Sequence, residues 1–265
     1  MILRPNSDPR PKKVVFFNQK GGVGKTTTCR DIGIWVARQG YSLLFADGDS
    51  QGNLTKSLFE ISGPVPGLYE AIEGGVVNLI DIDDSISLLA GDFRLSNLEK
   101  SLIGEIDSYT RLKDLLASEI FSRFDFVFID CPPSLGVLSI NALAAADHLV
   151  IPMRPSLYSM QGTNDLMAAI MKVRKTLNPN LNLLGVIING FDSLPVITRQ
   201  IRAEIEASFG DKVFQTALSE TIRFEEAIAA KKGIVDLKRF EHSKAREELS
   251  RIGSELLLRL GGGEA

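Results

Sequence analysis

Three stretches of the 265-residue chain place glycines, lysines, threonines and carboxylates where phosphate chemistry needs them. The first is NQKGGVGKTTT, Asn18–Thr28. Gly21, Gly22 and Gly24 let backbone N–H groups approach phosphate oxygens with no Cβ in the way. A helix starting near Lys25 would add the positive end of its dipole. In the loop pattern G-x-x-x-x-G-K-S/T the lysine reaches the β- and γ-phosphates and the hydroxyl holds Mg2+. Lys25 and Thr26 stand at those positions. The expected nucleotide contacts are therefore Gly21, Gly22, Val23, Gly24, Lys25, Thr26 and Thr27. One position departs from the pattern: Gln19 stands where its first glycine belongs, and a second lysine, Lys20, lies five residues before Lys25.

The second stretch is ADGDSQGN, Ala46–Asn53, with Asp47 and Asp49 two residues apart after an apolar run. Beside a metal-bound triphosphate, one carboxylate of such a pair can hold a Mg2+-bound water and the other can orient the attacking water. The third is FDFVFIDCPPSLG, Phe124–Gly136, an apolar run ending in Asp130. That placement suits a carboxylate reaching Mg2+ through water. Pro132 and Pro133 stiffen the exit, and Gly136 permits a close approach, as a γ-phosphate-sensing loop requires. Thr26, Asp47 and Asp130 are the metal candidates. Three phosphate-directed loops in this order predict a nucleoside triphosphatase.

These loops need a scaffold that brings strand ends together. Short β-branched and aromatic runs predict strands at Val14–Phe17, Ser42–Ala46, Ser87–Ala90, Phe126–Ile129, His148–Ile151 and Leu183–Ile188. Several are apolar on both faces, as in a parallel sheet covered by helices. Helices are expected at Thr26–Gln39, Thr110–Ser122, Gly136–Ala145, Met160–Thr176, Thr198–Phe209 and Ser243–Arg259. This alternation predicts an α/β fold: a doubly wound, mostly parallel sheet with helices on both faces, binding its ligand beyond the carboxyl ends of the strands. Residues 1–12, with three prolines, read as a disordered leader, 13–260 as one domain and 261–265 as a frayed end.

Composition sets outer limits. Hydrophobic residues make up 44% of the chain, enough for a large core. The net charge of −3 carries no global nucleic-acid signature, although residues 170–265 are slightly basic and 1–169 acidic. Two cysteines, Cys29 and Cys131, offer neither a disulfide framework nor metal-ligand spacing. No apolar run reaches the roughly 18 residues of a spanning helix, and the start lacks the apolar core of a secretory signal.

With these residues in view, the chain resembles the ParA/Soj partition ATPases, of the deviant Walker A class that also includes MinD. NQKGGVGKTTT matches the deviant phosphate loop, and DGDSQGNLT is similar to the family's D-x-D-P-Q-G-N-A-T, with Ser50 replacing the proline. FDFVFIDCPPSLGVLSINAL resembles its Walker B strand and following helix, and IPMRPSLYSMQG its next segment. The resemblance spans about Lys13 to Arg259 and implies a P-loop ATPase using ATP and Mg2+. It implies that Lys20 reaches across a homodimer to phosphates held by the other subunit, that Asp49 positions the hydrolytic water, that Asp47 lies near the metal, and that Asn189 reads the purine base. LSETIRFEEAIAAKKGI, Leu218–Ile234, resembles a family segment in which the residue matching Arg223 contacts DNA. Where the family has a further DNA-contacting arginine, shortly after Asp192, Leu194 stands here, and Arg199 and Arg202 are the candidates to replace it.

The implied function is an ATP-dependent partition switch, cytoplasmic and nucleoid-associated. As an ATP-bound homodimer it would hold nonspecific DNA, and a ParB-like centromere-binding protein would release it by stimulating hydrolysis, segregating a plasmid or chromosome. A ParA-like protein that positions a protein cargo fits the same residues. A MinD-like membrane cycler would need an amphipathic carboxyl-terminal helix with basic flanks; ELLLRLGGGEA instead reads as the end of a core-packed helix, so no stable membrane association is expected. An iron–sulfur reductase of the same superfamily would need cysteines bridging a cluster, and neither Cys29 nor Cys131 is placed for that.

Overall fold

β1 (Lys12–Phe16) lies inside a seven-stranded sheet, flanked by β5 (Phe126–Asp130) and β6 (His148–Met153). The computed structural model describes residues 10–61, 63–155, 159–190 and 196–261, with the side chains of 159–162 and 196–199 outside the description. Strand order is β3-β4-β2-β5-β1-β6-β7, where β2 is Leu43–Asp47, β3 Ile80–Asp81, β4 Ile86–Leu89 and β7 Asn182–Ile188. All pairings are parallel except that of β3 with β4. β1, β2 and β5 are buried on both sides because their residues alternate between two cores. Val15, Leu44, Ala46, Val127 and Ile129 face one core, and Val14, Phe16, Leu43, Phe45 and Phe128 face the other. A strand between two helical layers has no solvated face, which is why these runs are continuously apolar.

On one face α1 (Lys25–Arg38) packs against the sheet and α10 (Lys244–Arg259) packs on α1. Glycines set both distances. A Cβ on Gly33 would lie 2.4 Å from the Phe45 ring, and one on Gly253 would lie 2.3 Å from the Trp35 indole. α9 (Arg223–Ala229) joins this face through Phe224 and Ala227. The other face carries α3 (Leu68–Gly74), α4 (Leu95–Ser101), α6 (Val137–Ala145), α7 (Ser159–Thr176) and α8 (Val196–Phe209). α2 (Asn53–Leu58) follows β2 at the carboxyl edge.

The expected six strands are all present. β1 begins at Lys12, inside the stretch read as leader, and the two-residue β3 is too short to leave a pattern. The expected helix Thr110–Ser122 is corrected: α5 covers only Arg111–Leu115, and a 3-10 turn follows at Glu119–Phe121. Ser118 has extended backbone (φ −66°, ψ 143°), which breaks the helix and lets Phe121 bury fully. Residues 1–9 and 262–265, parts of the expected leader and frayed end, lie outside the described residues.

Candidate nucleotide-binding site

Parallel register sets the site. Asp130, the last residue of β5, pairs with Phe16 on one side and Asp47 on the other, so the ends of β1, β2 and β5 deliver their loops at one level. The loop after β1 is held from below: Asn18 Nδ2 donates to the Pro152 carbonyl (2.8 Å) and Asn18 Oδ1 accepts from the Lys20 amide (3.0 Å). Gly22 and Gly24 adopt φ of +69° and +85°, a region that side chains with a Cβ rarely enter. A Cβ on Gly21 or Gly22 would meet nothing within 4 Å, so the loop opens onto space of the kind a phosphate group needs. Lys25 begins α1, is buried, and donates Nζ to the Lys20 carbonyl (3.1 Å). Burial lowers its pKa, opposed by the charges of Asp130, Cys131 and Asp49. Lys20, on the same loop, is exposed.

The three carboxylates are in different situations. Asp130 is fully buried, and its Oδ2 accepts from the Thr26 hydroxyl (2.6 Å). Its Oδ1 is buried with no protein partner. Desolvation, then the charge of Asp47, pushes Asp130 up to about 8. Asp47 is also fully buried and pushed up to about 6 by desolvation, but its oxygens are occupied. Oδ2 accepts from the Thr55 amide (2.8 Å) and hydroxyl (2.6 Å), and Oδ1 from the Asp49 amide (3.2 Å). Asp49, 6% exposed, accepts from the Gln51 amide at Oδ1 (2.9 Å). Gly48 N donates to the Asp130 carbonyl (3.0 Å), joining the two loops.

This donor set fits Mg2+. Among the described residues no group of three or more His, Cys, Asp or Glu side chains is arranged to hold a metal. A Mg2+ that brings water and substrate phosphates with it takes only one or two protein ligands. The unpartnered Oδ1 of Asp130 beside the Thr26 hydroxyl is the oxygen left open for such an ion.

Beyond Gly24 lies a pocket lined by Val23, Thr28, Arg154, Asn189, Glu220 and Phe224, among others. Asn189 Nδ2 donates to the Val23 carbonyl (2.9 Å) and the Thr28 hydroxyl (2.7 Å). Both bonds are to acceptors or a hydroxyl on the phosphate-loop side, so the amide orientation is set, and Oδ1 is left buried without a partner. At the rim, Arg154 and Glu220 form an ion pair (2.5 Å). Sequence reasoning passed over Thr28, Arg154, Glu220 and Phe224. Thr28 follows Thr26 by two residues and was within reach of the motif, whereas nothing in the spacing of the other three marks them.

The arginines expected at DNA lie on two different helices. Arg202 is on α8, bonded to Glu206 (2.7 Å) and the Gln215 carbonyl (3.4 Å), while Arg223 opens α9 and is exposed. The two helices pack on opposite faces of the sheet. The Arg199 side chain and Leu194 lie outside the described residues. Cys29 and Cys131 are free, buried thiols.

Comparison with known proteins agrees with this geometry. Residues 11–183 match the family model described as AAA domain. The chain is 36% identical over 217 residues to the chromosome-partitioning ATPase Soj of Thermus thermophilus, covering 82% of this chain and 84% of that protein. It is 34% identical over 233 residues to the chromosome partitioning protein ParA of Caulobacter vibrioides, covering 85% and 87%. Among solved structures, the cobyrinic acid a,c-diamide synthase of Mycobacterium smegmatis with bound ATP analog and magnesium is 29% identical, with a TM-score of 0.79 over 96% of this chain and 97% of that one. The fold is thus shared with a protein crystallised with an ATP analog and magnesium, and the chain belongs to the ParA/Soj family of ATPases, hydrolysing ATP with Mg2+ as cofactor.

Proposed function

We propose that this ATPase is a partition switch: it pairs with a second copy around ATP, holds nonspecific DNA as that dimer, and lets go when a ParB-like partner stimulates hydrolysis. The observation that carries the reading is the division between two lysines on one loop. Lys25 is buried and folded back onto the loop, whereas Lys20 is exposed. In this reading Lys25 serves the phosphates of its own subunit and Lys20 those of the facing one.

Bound Mg2+ supplies charge neutralisation for the β- and γ-phosphates. The chain does the rest. Thr26 and Asp130 would hold the ion, Gly21 to Gly24 would present amides to the phosphates, and Asp49 would orient the attacking water. Thr27 adds a contact at the start of α1. Asn189 has an unpartnered acceptor oxygen that would be available to the base, which would suit the exocyclic amine of adenine and not the carbonyl of guanine. Arg202 and Arg223, with Arg199, would form one DNA surface only when two subunits pair. That makes DNA affinity depend on dimerisation and, through phosphate contacts, on salt.

Positioning of a protein cargo would use the same cycle, the cargo being set by the partner. A MinD-like membrane cycle is disfavoured because Leu249, Ile252, Leu256 and Leu257 of α10 are buried in the core. The test is an Asp49→Ala variant followed by size-exclusion chromatography and DNA co-sedimentation with ATP. It should accumulate as a DNA-bound dimer; a variant that stays monomeric with ATP would sink the scheme.

A further inference from the structure

We infer that Thr55 is a positioning residue for the hydrolytic step: its hydroxyl bridges the end of β2 to the loop after β4 and so holds Asp49 in place. Thr55 lies near the start of α2, eight residues after Asp47, and is fully buried. Its single hydroxyl makes two bonds in line. It donates to Asp47 Oδ2 (2.6 Å) and accepts from the Gly91 amide (2.9 Å). The Thr55 amide reaches the same carboxylate oxygen (2.8 Å), and the other oxygen of Asp47 takes the Asp49 amide (3.2 Å). Asp47 is therefore closed into a ring in which every acceptor bond comes from the segment that carries Asp49.

Two glycines show how tightly that ring is built. A Cβ on Gly91 would lie 2.3 Å from the Asp47 carbonyl oxygen, and a Cβ on Gly52 would lie 2.7 Å from the Gly91 carbonyl oxygen. Gly52 also has φ +60°. Three backbone segments, from Asp47, Gly52 and Gly91, thus meet at van der Waals limits, and the Thr55 hydroxyl bonds the Asp47 side chain to the Gly91 backbone. The loop after β4 is itself fastened by Arg94, which bonds both oxygens of Asp92 (3.0 Å each from Nε) and pairs with Glu70 on α3. Rigidity passes from α3 through Arg94 and Gly91 to Thr55, and from Thr55 to the Asp47–Asp49 turn. A carboxylate that must orient one water gains from such support, because small misplacements in an active site cost large factors in rate.

The inference rests on Asp49 acting on the attacking water, and the test separates the two claims. In the nucleotide-free wild type, hydrogen exchange should show the Gly91 and Asp49 amides protected, although both sit in loops. Thr55→Val keeps the shape and removes the hydroxyl; Thr55→Ser keeps the hydroxyl. In Thr55→Val those two amides should exchange about tenfold faster or more, kcat should fall about 10- to 100-fold, and KM for ATP should stay within about twofold. Thr55→Ser should restore protection and most of kcat. Free exchange of the Gly91 amide in the wild type, wild-type kcat in Thr55→Val, or equal loss of kcat in both variants would each overturn the inference. If Thr55→Val does not fold, the wild-type exchange result and Thr55→Ser still decide it. Wild-type hydrolysis by Asp49→Ala would instead overturn the role of Asp49 and leave the exchange result standing.

Discussion

Asp47 and Asp130 are register partners at the carboxyl ends of adjacent parallel strands, yet only one of them has an oxygen to spare. Asp47 is enclosed by Thr55 and Asp49, while Asp130 spends one oxygen on Thr26 and keeps Oδ1 open. Two buried carboxylates this close raise each other's cost of ionisation, and a cation is the simplest relief.

That cost makes nucleotide-free stability depend on pH. Burial holds Asp130 up to about 8 and Asp47 up to about 6, against about 3.9 for an unfolded aspartate. Between about pH 4 and 8 these two groups bind more protons in the folded chain than in the unfolded one, so their contribution to stability falls as pH rises across that window. Each such group contributes up to about 1.4 kcal/mol per pH unit. Asp130→Asn should flatten the decline, stabilise the metal-free protein at pH 8 and abolish Mg2+-dependent hydrolysis. Urea denaturation at several pH values, without Mg2+ or nucleotide, measures it; an unchanged slope in the variant would contradict the assignment.

The two lysines should separate in their effects. Lys25→Ala should weaken ATP binding itself, because a buried ammonium beside the phosphates is lost. Lys20→Ala should retain much of the nucleotide binding and lose hydrolysis and dimer formation. Calorimetry with a nonhydrolysable analogue, together with analytical ultracentrifugation, distinguishes them. Hydrolysis by a Lys20→Ala monomer would show that the exposed lysine has no role across a dimer.

Base selection should follow Asn189. Nδ2 is committed to Val23 and Thr28 and Oδ1 accepts only, so if Asn189 meets the base, ATP should be preferred to GTP. Asn189→Asp leaves an acceptor but buries a charge against the Val23 carbonyl. Asn189→Ala should weaken ATP binding by about 1–3 kcal/mol, the cost of an unmade buried hydrogen bond, with little change for GTP. Competition between the two nucleotides for a fluorescent analogue reads the selectivity, and equal loss for both would argue against base contact.

Arg30 and Asp31 form a fully buried pair that anchors α1 to the chain beyond α9. Arg30 Nη1 bonds Asp31 Oδ2 (2.9 Å), Arg30 Nη2 donates to the Lys232 carbonyl (2.5 Å), and Asp31 Oδ1 accepts from the Ile234 amide (3.0 Å). Removing either partner alone leaves an uncompensated buried charge. Asp31→Ala should cost about 3–5 kcal/mol in chemical denaturation, and Arg30→Met with Asp31→Leu should cost less than the two single changes together.

The sequence by itself determined the parts of this protein that are local in the chain. NQKGGVGKTTT carries its own geometry, because glycines, a helix start and a lysine within eleven residues suffice to shape a phosphate loop. The doubly apolar runs that became β1, β2 and β5 announced a covered parallel sheet for the same reason. Short elements such as β3, α2, α3, α4 and α9 left no period long enough to read, and Ser118 ended α5 for the sake of burying Phe121. What only the tertiary structure decided is how like residues differ. Asp47 and Asp130 look equivalent as strand-end carboxylates, but Asp130 meets Thr26, brought from α1 by strand order, whereas Asp47 is closed by Thr55 from α2, the helix that follows its own strand. Likewise Asn189 becomes an oriented acceptor only because β7 delivers it against Val23 and Thr28, some 160 residues earlier in the chain. Hydrogen-bond partners across such separations are chosen by packing, and a linear pattern carries no record of which oxygen is left over.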